Sequence, residues 1–168
     1  MKLYFLNDLE RESTLTYIDK VTFMNHIRNF ARKDLGIESD TTPYMLDFLL
    51  DYWTNGCCTR LVNKITKEET LHCVRIKDSL ELHDMIRTVL HETKHVEQFI
   101  NQPLYYRIAT KTKNFLEKHN LYNGIFYTFA FHEIAARRYA KKTMKKYYKQ
   151  LNKLIKDAYE NKLEEILA

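Results

Sequence analysis

The chain is short of the residues that interrupt regular backbone. It has 3 Gly and 2 Pro in 168 residues. Those two residue types are the strongest punctuators of helices and strands. Their scarcity excludes a loop-rich or collagen-like chain and predicts long regular elements. Cysteine is scarce as well. Cys57, Cys58 and Cys73 make an odd count of 3 with two adjacent, which does not fit a secreted disulfide framework. Reduced thiols in a cytoplasmic protein are the expectation. No segment reaches the ~18 apolar residues of a membrane span. The opening MKLYFLNDLERES meets acids at Asp8 and Glu10, too early for a signal peptide.

What is present points to a folded core. Hydrophobic residues make up 45% and aromatics 13%, a composition that argues against disorder. A chain of this length buries a proper core as one domain. With no repeat and no linker, residues 1–168 read as a single domain, its core motifs at about 57–140 and a basic helix at about 137–168. Charge is uneven. Residues 101–168 hold 14 Lys+Arg against 6 Asp+Glu, while residues 1–100 hold 13 against 16.

Periodicity supplies the elements. A short strand is expected at residues 2–6. Val21, Met24, Ile27 and Ala31 recur at helical spacing, predicting a helix over 21–35 ended by Gly36. Thr41-Thr42-Pro43 reads as a helix start, with a second helix over 44–53. Residues 57–65 and 70–77 read as a β-hairpin. Asp78 or Ser79 then caps a long helix through about 100, carrying Leu82, Met85, Ile86, Val89, Val96 and Ile100. Pro103 marks its end. A helix over 109–119 follows, and a last long one runs from about 125 past 151. The class is α+β: mainly helical, with a small antiparallel sheet packed on the long central helix.

That helix carries His91-Glu92-Thr93-Lys94-His95, an H-E-x-x-H pattern. Residues four apart share one helix face, so both imidazoles can reach a single zinc ion. Glu92 points aside and is placed to take a proton from a metal-activated water. Asp84, Thr88 and Gln98 continue this polar face. A catalytic zinc takes a third protein ligand. Glu133 is the best candidate, with Ala136 and Ala140 on its face allowing close helix approach. His132 is the rival. Tyr127, Tyr139 and His132 are candidates to stabilise an oxyanion. Packing or surface roles are the plainer reading of those three, and of His26, His72, His83 and His119.

His91-Glu92-x-x-His95 followed by Glu133-x-x-Ala136-x-x-Tyr139-Ala140 resembles the gluzincins, zinc metallopeptidases with an HExxH helix and a downstream glutamate helix. The His91-through-Gln98 variant, HExxHxxQ, is similar to that of small bacterial and phage zincin-like proteins. The resemblance covers about residues 70–140. It implies a zincin-like fold, zinc on His91, His95 and Glu133, Glu92 as catalytic base, and a peptide or protein substrate. It also implies that residues 71–76 form the sheet edge along which substrate lies. The chain departs from the pattern at Arg137, where many relatives carry an acid that orients a metal-binding histidine. Asp84 and Asp51 are candidate replacements, and Arg137 itself is a candidate partner of Glu133 or of substrate.

From Arg137 to Lys156 there are nine Lys+Arg and no acids. A solvated helix face is the plain reading. The competing one is a nucleic-acid-binding or partner-binding module, with a structural or degenerate metal site.

Overall fold

A computed structural model describes residues 15–51, 54–62, 69–118 and 131–159. The expected strand at 2–6 lies outside them. Helix α1 spans Tyr17–Leu35. Its start is a capping box: Thr16 Oγ1 accepts from the Asp19 N–H at 3.2 Å, and the Asp19 carboxylate accepts from the Thr16 N–H at 2.9 Å. This cap begins the helix one turn before the expected Val21. Gly36 ends it at φ 68°, the left-handed conformation that glycine adopts without a Cβ clash. Phe23, Met24, Ile27 and Ala31 are fully buried.

The expected helix at 44–53 is not formed. Tyr44–Asp47 is strand β1. It pairs in parallel with β3 (Glu69–Lys77), Tyr44 opposite Val74 and Leu46 opposite Ile76. Tyr44 and Leu46 are buried while Met45 is exposed, a period of two. Phe48 and Leu49, needed for a helical stripe, stand 70% and 86% exposed. Ladder pairing with β3 overrode the local helix signal. Residues 52 and 53 lie outside the described residues.

Strand β2 (Gly56–Val62) pairs antiparallel with β3, as the hairpin reading expected. The order is β1-β3-β2, so the sheet is mixed, not antiparallel. Residues 71–76 belong to its central strand and cannot receive an added strand. That corrects the expectation of a substrate-binding edge there; among the described residues the edges are β1 and β2.

Helix α2 spans Leu82–Asn101. Its N-cap is Glu81, without a side-chain cap bond. Asp78 and Ser79 do not cap it, because the chain is still turning: the Leu80 N–H reaches Lys77 O. Leu82, Met85, Ile86, Val89, Leu90 and Val96 are buried against α1 and the sheet, and Thr88, Glu92, Thr93, His95, Glu97 and Gln98 are buried too. Pro103 does not merely end α2; it opens α3 (Pro103–Lys118), where a missing N–H costs nothing.

Helix α4 spans Phe131–Lys146 and α5 spans Tyr148–Tyr159. The single long helix expected here bends at Tyr147. Its hydroxyl donates to Asp34 Oδ1 at 3.1 Å, and its ring meets Phe30 edge-on at 4.8 Å. Tyr147 is thereby held on α1, and Leu151, Ile155 and Ala158 of α5 are buried. Lys141, Lys142, Lys145, Lys146, Lys149, Lys153 and Lys156 are exposed. No helix among the described residues is long and apolar enough to cross a membrane.

A polar knot ties the end of α1 to β1. The buried Arg32 guanidinium pairs with Asp40 and donates to Thr42 O at 3.2 Å. Asp40 Oδ1 accepts from the Thr42 hydroxyl at 2.7 Å and its N–H at 3.1 Å. Burial alone would raise the Asp40 carboxyl. The Thr42 bonds and the Arg32 charge outweigh it and hold the group below its ordinary 3.8. A depressed folded value stabilises above the ordinary pKa and stops doing so as pH falls through the folded one. Asp40→Asn should therefore cost about 2–4 kcal/mol at pH 7 by urea unfolding. The gap between variant and wild type should narrow below pH 3.8.

Candidate metal centre

His91 and His95 lie one turn apart on α2, and Glu133 reaches them from the first turn of α4. The approach of α4 depends on small residues, since Ala136 and Ala140 are 0% and 2% exposed. Any larger side chain there would hold the helices apart. The ring nitrogens His91 Nε2 and His95 Nε2 are 3.1 Å apart. Glu133 Oε2 is 3.2 Å from His91 Nε2, and its Oε1 is 3.4 Å from His95 Nε2. Donor atoms bonded at ~2.0–2.1 Å around a tetrahedral ion stand about 3.3 Å apart, so the three side chains are spaced to hold one metal ion. Among the described residues, His91, His95 and Glu133 are the group whose ligand atoms converge within 4.8 Å.

Two further observations fit a cation. Glu133 Oε2 is buried without a hydrogen bond, because its approach to His91 lacks hydrogen-bond geometry. A buried carboxylate oxygen left so is costly. The second is the histidine tautomer. Gln98, 1% exposed, donates from Nε2 to His132 O at 3.2 Å. Its Oε1 then accepts from His95 Nδ1 at 2.9 Å, which leaves the lone pair of a neutral His95 on Nε2. That nitrogen faces His91 Nε2 and a carboxylate, a position that calls for a proton or a metal ion.

Electrostatics agree. Burial lowers the proton affinity of His95, and hydrogen bonding to Glu133 with the charges of Glu92 and Glu133 overcomes it, for a net rise. Burial would raise Glu133, but His91 and His95 hold it far below the usual carboxylate range. Glu92 is 6% exposed. Burial raises its carboxyl above the ordinary value, and His95 and His91 only partly oppose this. A carboxylate shifted that way is a stronger base.

The centre opens on a cleft of about 500 Å³ lined by Thr54, Asn55, Gly56, Asp84, Arg87, Thr88, His91, Glu92, Glu133 and Arg137. Gly56 brings β2 onto α2. A Cβ there would stand 2.6 Å from Thr88 Cγ2 and 3.1 Å from Glu92 Cγ. Thr88 cannot easily turn away, because its hydroxyl donates to Asp84 O at 2.8 Å.

The other sequence candidates fall out differently. His132 is buried, its Nε2 3.5 Å from Glu133 Oε1, beside the carboxylate but outside the converging three. The Tyr139 hydroxyl donates to Asp34 on α1 at 3.1 Å, so it is taken up in packing. Tyr127 lies outside the described residues. Of the candidates to orient a histidine of the centre, Asp84 stands beside His83 instead, and it is Gln98 that holds His95. Asp84 is half exposed in the cleft, and exposed Asp51 accepts from Lys77 through its carbonyl. Gln98 stood in the quoted motif without a role, and its i+3 spacing from His95 was the available signal. Gly56, Arg87 and Cys58 had no such signal. No protein family, curated protein or solved structure matches the chain.

Gly56→Ala should destabilise by about 1–3 kcal/mol, the range for overpacking. Thr88→Ser removes Cγ2 and keeps the hydroxyl. In the double variant most of the loss should return, as a favourable coupling in a double-mutant cycle. Additive effects would show that the Thr88 methyl is not the obstacle.

Proposed function

We propose that this protein is a zinc-dependent metallopeptidase with His91, His95 and Glu133 as ligands and Glu92 as general base. The observation that carries the reading is the convergence of two imidazoles and a buried carboxylate beside a second, base-like carboxylate in one cleft. When bound, zinc supplies a Lewis acid that polarises the scissile carbonyl and acidifies water. The chain's own residues supply the remainder. Gln98 holds the His95 ring and its tautomer, the usual task of groups around metal ligands. Glu92 takes the proton of the attacking water and returns it to the leaving amine. The two-arginine cleft, Arg87 and Arg137 with Asp84, borders the substrate.

The metal-loaded chain should hold about one zinc by elemental analysis. Glu133→Ala should lose most of the bound metal. Gln98→Leu should weaken zinc binding about 10–100-fold. Glu92→Gln should keep the metal and lose hydrolysis of a broad peptide library. A chain that takes up no zinc sinks the reading.

The exposed lysines of α4 and α5 support a second, independent reading, a nucleic-acid-binding surface. It predicts DNA or RNA binding whose affinity falls steeply with salt and is lost when Lys141, Lys142, Lys145 and Lys146 are neutralised. Absence of binding at low salt rejects it.

A further inference from the structure

Cys58 makes a contact that the zinc centre leaves unused. Its partner across the ladder is Val74 on β3. Directly opposed residues lie on the same face of a sheet, and Val74 is fully buried. Cys58 therefore points to the packed face, where its sulfur lies 3.4 Å from Glu92 Oε2 and 3.5 Å from Glu92 O. Both of those atoms accept when the carboxyl is ionised, so the thiol must donate. The backbone carbonyl is the competing acceptor for the one S–H, and the carboxylate, the nearer and the charged one, is the stronger.

Strand β2 thus acts on Glu92 twice. At Gly56 the strand backbone passes so close that a Cβ would crowd Glu92 Cγ at 3.1 Å. Two residues on, Cys58 holds the end of the same side chain. A glutamate carries up to about 1.5–2 kcal/mol of rotamer entropy, and a proton carrier works only within hydrogen-bond reach of its water. Contact along the stem and a donor at the tip remove that freedom.

We propose that Cys58 is a positioning residue whose S–H hydrogen bond fixes the Glu92 carboxyl in the cleft beside His91, His95 and Glu133. Its catalytic consequence rests on the peptidase reading; the contact itself does not. The thiol is not a metal ligand, and it acts only through Glu92.

The test uses the full zinc-loaded chain and begins with the infrared S–H stretch. Subtracting the spectrum of Cys58→Ser isolates the Cys58 band from those of Cys57 and Cys73. The Cys58 band should move to higher frequency in Glu92→Ala, and less far in Glu92→Gln, which keeps a neutral acceptor. A band unmoved in both variants overturns the proposal. The second readout is kinetic. Cys58→Ala should lower kcat about tenfold, the scale of one hydrogen bond to a charged group. KM and zinc content should stay at wild-type values, and Cys58→Ser should recover most of kcat. Wild-type kcat in Cys58→Ala overturns the positioning role. A wild-type chain that binds zinc but cleaves no peptide ends the peptidase reading instead; the infrared shift then decides the Cys58 contact alone.

Discussion

A carboxylate buried between two imidazoles is the interaction on which the rest of this structure depends. Glu133 is 7% exposed and His95 7% exposed. Taking an ionised carboxylate out of water costs several kcal/mol unless positive charge meets it. His91 and His95 of α2 stand within ion-pair distance of the Glu133 carboxylate, with His132 beside them, and a cation held there would supply the same charge. The helix that carries Glu133 is therefore bound to α2 by electrostatics at one end and by close packing of Ala136 and Ala140 along its length. The two conditions reinforce each other, since a carboxylate held further away would meet neither ring.

The same logic explains why α2 is buried on so many sides. Its apolar stripe packs on α1 and the sheet, and its polar face is covered by α4 and β2. Polar groups on a covered face need partners. His95 has Gln98, and Gln98 has the His132 carbonyl. Glu92 has Cys58, and Thr88 and Thr93 bond back to carbonyls of their own helix. Each partner also limits motion. The centre is a set of side chains already oriented by neighbours outside the converging three, an arrangement that lowers the cost of assembling a site.

Much of this is legible in the sequence. The spacing of four between His91 and His95 is a helix property, so it named one face and one pair of donors. Glu133 was found from its alanine neighbours, because Ala136 and Ala140 mark where a helix comes close. Helix α1 and the β2–β3 hairpin announced themselves through period and turn signals. Elsewhere the local signal misled. Thr42-Pro43 followed by an apolar run reads equally as a helix start or as an edge strand of four residues, and the choice was made by a parallel partner 30 residues away, Val74 for Tyr44. The bend at Tyr147 depends on Asp34 and Phe30 of α1, which no window around Tyr147 contains.

The sequence by itself determined the shared helical face of His91 and His95, the α+β class and, as far as Val96, the buried stripe of the central helix; Ile100, expected to continue it, is 41% exposed. All of these follow from residue types and periods along one segment. Tertiary structure alone decided that β3 lies in the middle of a mixed sheet, that Gln98 holds His95, and that Gly56 and Cys58 confine Glu92. Those facts concern distances between segments far apart in the chain, set by how surfaces fit when water is expelled. No periodicity within a segment encodes which foreign side chain will stand opposite it.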